Sequence, residues 1–431
     1  MTYHNAQKYI LNAPDESSQK IPGNNLKRIW SILGYPQKNL NYMRLAGSNG
    51  KTITSEMLVS VFKQTNYTVG ALTTTLRTDL RYNISINGSP ISFEKMAEYV
   101  SLIYKIVNGI NKNQSNYFAS EDNTIGLELP IVLTKQEILL TVALIAFKEN
   151  NCDLCLIESD HKHMDPTVFL PPPFIVAICG AIPSQDKADV QMIRTYICHG
   201  IEEIISSPQD KNAYRVISNA CASVNCRLTI PTKSALEIQK STLSGSEFLY
   251  KERNYKISLC GKFQINNAIF VLELLDRLIG KGFDISYDQI FKGLVTTKIP
   301  TKFEILSIMP TIIADSTHSD VAISAVCESM SEFKSIIGNK IRVCLPNGSI
   351  VERYQESLTE QGYSIDKIIV FNDIQLPPSS LNNTEIVYCT KVKDLIKVSL
   401  EGLDPDEILL ISGRYSFTLD VRYELLSYLG F

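Results

Sequence analysis

The chain has 431 residues, of which 44% are hydrophobic and 20% charged, with a formal net charge of −3. That length exceeds one ordinary core and predicts roughly two or three domains, and the near-neutral balance gives no support for a nucleic-acid or membrane surface. The ten cysteines, at 152, 155, 179, 198, 221, 226, 260, 327, 344 and 389, follow no framework spacing and often sit in apolar runs, so they are expected to be reduced core thiols.

Taken in order, Met1-Thr2-Tyr3-His4-Asn5 offers neither a basic start nor an apolar segment of the kind that directs secretion, and the cytoplasm is the expected compartment. A helix is expected at 26–33, then a turn at Gly34-Tyr35-Pro36 and a short apolar strand at 42–46. Gly47-Ser48-Asn49-Gly50-Lys51-Thr52 follows without a gap, and Met57, Leu58, Val61 and Phe62 then recur at helical spacing. A strand, a glycine turn, a lysine–threonine pair and a helix together read as a phosphate cradle. The glycines let backbone N–H groups close around a polyphosphate, Lys51 can reach its terminal oxygens, and the Thr52 hydroxyl can hold Mg²⁺. Leu45 stands where a strict Walker pattern has glycine, so the turn is a shortened variant, and an ordinary helix N-cap is the competing reading.

A strand is expected at 69–75, a hairpin at 83–88, a helix at 93–107 and a mobile polar loop at 108–121. The helix expected at 136–150 holds the longest apolar stretch, 138–147, which is broken by Thr141 and too short to span a bilayer. It feeds a strand at 154–158 that ends in Glu158, where a carboxylate could face a metal; a solvated strand-end acid is the plainer alternative. Cys152 and Cys155 form a C-x-x-C there, with no second pair to make a zinc or redox centre. Further strands at 174–179, 204–205 and 228–230, a hairpin at 247–259, and helices at 214–224, 264–278 and 287–294 continue the alternation. A hinge at 296–301 precedes a second run of strands, at 312–315, 341–345, 368–371, 386–388 and 408–411, with helices between. The expected fold is α/β: a P-loop domain with a mainly parallel sheet over 1–298 and a smaller Rossmann-like α/β domain over 299–431.

Several separated segments resemble one family. Gly47 to Thr52 resembles the phosphate loop of the Mur ligase superfamily, and Gly261-Lys262-Phe263-Gln264-Ile265-Asn266-Asn267-Ala268 resembles its glycine, glutamine and asparagine-alanine helix start. Pro300-Thr301-Lys302-Phe303-Glu304 followed by Ala314-Asp315-Ser316-Thr317-His318 is similar to a paired motif of the folylpolyglutamate and dihydrofolate synthases, as are Ile86 to Ser92 and Ile204 to Gln209. The resemblance implies an ATP-dependent carboxylate–amine ligase of one-carbon metabolism, with ATP and Mg²⁺ as cofactors. Its expected substrates are a small carboxylic acid such as a folate and an amino acid, glutamate; no nucleic-acid or membrane partner is expected, and a monomer is. Carried over by position, Lys51, Glu158 and His318 are the implied catalytic residues. Asn49, Gly50, Lys51, Thr52, Asn267, Lys302, Asp315 and His318 are implied to bind the nucleotide, and Thr52, Thr74 and Glu158 the metal.

The chain also departs from the family. Ser159-Asp160-His161-Lys162-His163-Met164-Asp165 replaces a glycine-rich run, Thr74-Thr75-Leu76 replaces a Ser-Pro-His, and Cys179-Gly180-Ala181 has no Asp-His. Arg194 stands near the position of a carbamylated lysine, and a guanidinium cannot form that carbamate. His161 and His163 offer either replacement metal ligands or a polar loop beside the nucleotide. Two rivals to an active ligase follow: a catalytically degenerate relative that binds ATP as a regulatory or scaffolding module, and a P-loop kinase or ATPase.

Overall fold

The structure is a computed structural model that describes residues 1–15, 23–118, 130–159, 165–182, 191, 193–317, 320–371 and 384–430. The described chain divides into two compact units, Met1–Thr232 with Ile269–Gly293, and Lys233–Ala268 with Leu294–Phe431. The sequence placed one cut at 298/299. The chain enters the second unit for good at Leu294, and that unit also takes in the segment Lys233–Ala268.

In the first unit, β1 (Tyr42–Ala46), β2 (Val69–Leu72), β3 (Ile84–Ile86), β4 (Ser89–Pro90), β5 (Leu154–Glu158), β6 (Ile175–Ile178), β7 (Glu203–Ser206) and β8 (Arg227–Thr229) form one sheet in the order β4-β3-β2-β5-β1-β6-β7-β8. From β2 to β8 the pairs are parallel, and β3 and β4 add an antiparallel edge. The central strands β1, β5 and β6 are buried along their whole length, which is why they read as apolar runs rather than as alternating ones. Parallel strands send all their carboxyl ends to one edge, so the loops after β1, β2, β5 and β6 gather there. One helix, Lys135–Glu149, is fixed at its start by a reciprocal capping box between Thr134 and Glu137. Its Thr141 hydroxyl accepts a buried hydrogen bond from the indole of Trp30, at 3.1 Å.

The polar loop expected at 108–121 is instead largely helix: Phe93–Phe118 is continuous. Val107 and Ile110 are buried on its apolar stripe, and the Asn111 side chain both accepts from the Ile131 amide and donates to the Ile131 carbonyl. Tertiary contacts of this kind override the weak helix preference of Asn and Ser. Residues 119–129 lie outside the described residues. The helix Tyr3–Leu11 was not anticipated by the sequence reading.

The second unit holds an antiparallel sheet of β9 (Leu236–Thr242), β10 (Gly245–Tyr250) and β11 (Arg253–Ile257). It also holds a six-stranded sheet of β12 (Glu304–Ile308), β13 (Thr311–Asp315), β14 (Lys340–Leu345), β15 (Ser364–Phe371), β16 (Glu385–Cys389) and β17 (Glu407–Ser412), ordered β12-β13-β17-β14-β15-β16. All its pairs are parallel except β12 with β13. The ten cysteines are free, and eight of them are buried, as expected of core thiols. Among the described residues no helix is long and apolar enough to cross a membrane.

Candidate functional site

The loop after β1 is shaped by two glycines. Gly50 is left-handed (φ 84°) and caps the helix Lys51–Phe62, and Gly47 has φ 112°. A Cβ on Gly47 would lie 2.2 Å from the carbonyl oxygen of Cys179. The loop is therefore pressed against the chain leaving β6, and only glycine allows that approach. Gly47→Ala is expected to destabilise the protein by about 2–4 kcal/mol in urea unfolding, since it combines a clash with a left-handed backbone. The Lys51 ammonium donates to the Gly47 carbonyl at 2.5 Å, which folds its side chain back over the loop it would serve.

The chain under the loop is itself clamped. Gln209 donates to the Gly180 carbonyl (2.9 Å) and accepts from the Ile182 amide (2.8 Å), while the Ser207 hydroxyl accepts from the Gly180 amide (3.0 Å). The segment Ser206-Ser207-Pro208-Gln209 thus acts as a brace for the floor beneath the glycine loop, a role that its sequence did not reveal.

Glu158 ends β5 and is 1% exposed. Its Oε2 accepts from the Thr73 hydroxyl (3.1 Å) and the Thr74 amide (3.3 Å), whereas Oε1 is buried and has no hydrogen-bond partner among the described residues. The hydroxyl bonded to Glu158 is that of Thr73; Thr74, expected as a metal ligand, contributes its backbone here. Thr52, Ser55, Thr73 and Glu158 line one cavity of about 100 Å³. A buried carboxylate oxygen left unpaired costs several kcal/mol, roughly, unless a cation meets it. Threonine hydroxyls and a carboxylate are hard oxygen donors, and Mg²⁺ takes few protein ligands when phosphates and water complete its shell, so these residues fit that ion. No cluster of three or more His, Cys, Asp or Glu side chains suited to a metal occurs among the described residues. Arg194 is exposed, and His161, His163 and Asp160 lie outside the described residues.

A buried polar network that the sequence reading missed supports the chain just beyond Glu158. Asp165 accepts from the Thr167 amide (2.9 Å), the Thr167 hydroxyl (2.7 Å) and the Tyr196 hydroxyl (2.7 Å). Arg44 of β1, 2% exposed, donates to the Thr167 carbonyl (2.6 Å) and lies 5.0 Å from the Tyr196 ring centre. The hydroxyls of Ser159 and Thr167 are 2.8 Å apart, which links the network to the residue after Glu158.

In the second unit, Asn267 donates to Gln264 (3.1 Å) at the start of the helix Lys262–Gly280. Asp315, at the end of β13, is 4% exposed; its Oδ2 accepts from the Phe303 amide at 2.7 Å. Burial pushes its carboxyl up, and the Lys302 ammonium opposes that shift. His318 lies outside the described residues.

No protein-family model matches the chain. The dihydrofolate synthase/folylpolyglutamate synthase of Bacillus subtilis is 22% identical to it, over 93% of this chain and 94% of the relative. The fold is that of the folylpolyglutamate synthetase from Lactobacillus casei, with a TM-score of 0.78 at 18% identity over 99% of this chain and 100% of that one. The chain is thus similar to folylpolyglutamate and dihydrofolate synthases over nearly its whole length. A solved folylpolyglutamate synthase complex with AMPPCP and folate superimposes on it with a TM-score of 0.77 at 18% identity, covering 99% of this chain and 100% of that one. Against the motifs of those relatives the sequence departs in the segments after β5 and β6, whereas the glycine turn at Gly47 to Thr52, Glu158, Lys302 and Asp315 keep the expected order.

Proposed function

We propose that the protein is an ATP-dependent carboxylate–amine ligase that joins glutamate to a folate or a related acid. The observation that carries the reading is Glu158: a buried carboxylate with one oxygen unpartnered among the described residues, in a cavity shared with Thr52 at the head of the phosphate loop. A strand-end acid serving only solubility would be solvated, and an N-cap alone would not need this group behind it.

Mg²⁺ bound there would offset charge on the phosphoryl oxygens. Lys51 would hold the terminal phosphate, the Asn49 and Gly50 amides would cradle the chain of phosphates, and Thr52, Thr74 and Glu158 would hold the ion with Thr73 orienting the carboxylate. Asn267, Lys302, Asp315 and His318 are the proposed further nucleotide contacts. Near-complete coverage of ligase relatives supports this reading over an ATP-binding module without turnover and over a kinase or ATPase. We place the protein in the cytoplasm, a reading supported by its free and mostly buried cysteines, and propose that it acts as a monomer.

The test is to incubate the purified protein with ATP, Mg²⁺, tetrahydrofolate and glutamate. ADP release that depends on glutamate, with a mass gain of one glutamyl unit on the folate, is expected. ADP release that needs no amine points to an ATPase, and nucleotide binding without turnover against any acid and amine pair points to the silent module. If activity is found, Arg194→Lys is expected to leave it unchanged, because Arg194 is exposed and not among the residues lining the Glu158 cavity.

A further inference from the structure

The turn that carries Lys302 is held in an unfavourable backbone form. Thr301 (φ 59°) and Phe303 (φ 52°), on either side of it, are both left-handed, although one is β-branched and the other aromatic. Both are buried, at 0% and 1% exposed. Such a turn persists only where its surroundings over-determine it. The restraints are visible. The Thr301 amide donates to Glu304 Oε2 (2.9 Å), the Ser316 amide to the Thr301 carbonyl (2.7 Å), and the Phe303 amide to Asp315 Oδ2 (2.7 Å). The Phe303 ring packs edge-on to Phe263 with centres 6.0 Å apart.

One restraint comes from far along the chain. Arg422, on the helix Tyr415–Leu429, grips both oxygens of Glu304: Nε to Oε2 and Nη2 to Oε1, each at 2.7 Å. Most surface ion pairs contribute little, because two long side chains must be ordered to make them. This one differs in kind. It is bidentate, its side chains are only 16% and 23% exposed, and the same Glu304 oxygen that meets Arg422 also receives the Thr301 amide.

We propose that Arg422 is a positioning residue for nucleotide binding, acting through Glu304 to keep the left-handed turn that presents Lys302. The inference rests on the reading of Lys302 as a nucleotide contact. Without the guanidinium, Glu304 is free to turn away, Thr301 loses its amide partner, and the turn can relax towards negative φ and carry Lys302 with it. Arg422 needs no contact with the nucleotide for this.

The experiment is a double-mutant cycle on the full chain, reading affinity for AMPPCP by calorimetry. Arg422→Gln alone is expected to weaken binding about tenfold, and Lys302→Ala by a similar or larger factor, while in the Lys302→Ala background Arg422→Gln changes nothing further. Glu304→Gln, which keeps the shape of the side chain but not its charge, is expected to reproduce the effect of Arg422→Gln and serves where that variant folds poorly. Equal losses from Arg422→Gln in both backgrounds would mean general structural damage and overturn the proposal. So would unchanged affinity in Arg422→Gln when Lys302→Ala weakens binding. Unchanged affinity in Lys302→Ala itself rejects the nucleotide contact, and this inference falls with it.

Discussion

Alanine at position 51 is expected to lower kcat by about 10³-fold while AMPPCP affinity falls by no more than about tenfold. The loop's shape does not depend on the lysine. It is set by the left-handed Gly50 and by Gly47 packed against the Cys179 carbonyl, so the backbone amides that cradle phosphate remain in place. What is lost is a mobile cation that can leave its bond to the Gly47 carbonyl and follow charge as it moves onto the transferred phosphoryl group. Arginine is not expected to restore the rate, since a planar fork cannot occupy the place of a compact ammonium. Steady-state kinetics at saturating ATP, with calorimetry beside it, separate the two effects. Full activity in Lys51→Ala would reject the phosphate-loop assignment and return the segment to an ordinary helix N-cap.

Removing the Asp165 carboxylate is expected to destabilise the first unit by about 3–5 kcal/mol, well beyond the ±0.5 kcal/mol, roughly, of an ordinary surface change. Asp165→Ala strands three donors, the Thr167 amide, the Thr167 hydroxyl and the Tyr196 hydroxyl, in a region without water access. It also leaves the Arg44 guanidinium, 2% exposed, without its neighbouring negative charge. Urea unfolding measures the loss. A second consequence concerns pH. Burial pushes the Asp165 carboxyl up, ahead of the hydrogen bonds and Arg44, which pull it down. A group that binds its proton more tightly when folded contributes most below the unfolded value, near pH 4, and its contribution declines as pH rises through the folded value. The penalty of Asp165→Asn, which cannot titrate, should therefore be larger at about pH 4 than at about pH 8. The opposite trend would show that attraction to Arg44 outweighs burial.

Most of the fold was legible because its signals are local. Fully buried strands such as β1, β5 and β6 announce themselves as apolar runs, and Asn87-Gly88 marks a hairpin because that turn needs left-handed residues; the second hairpin, expected to turn at Glu252 to Asn254, turns one residue earlier at the left-handed Lys251 and Glu252. The helix through Asn108 to Phe118 was misjudged for the opposite reason: its polar sequence is held by a stripe and by Asn111 bonded to Ile131, a partner 20 residues away. The edge strand β12 was hidden because its residues are only partly buried and it pairs antiparallel to β13 through an irregular register.

The candidate site divides in the same way. The residues of the proposed phosphate loop follow one another in the chain, so the proposal can be drawn from their spacing, because a glycine turn between a strand and a helix exposes its own amides wherever it occurs. Glu158 could be suspected from its place at a strand end, but only packing shows that one oxygen is held by Thr73 and Thr74 while the other is buried and unpartnered among the described residues. Nothing in the order of residues relates Gln209 to the floor beneath Gly47, Arg44 to Asp165, or Arg422 to the turn at Lys302. These pairings join distant stretches of chain, and each exists because a buried charge or a strained backbone must find its partner wherever the fold delivers one. The sequence alone determined the α/β class, a glycine turn carrying the residues of a phosphate loop, and the likeness to the folylpolyglutamate synthases; the tertiary structure decided which side chains hold that turn, Glu158 and Lys302 in place.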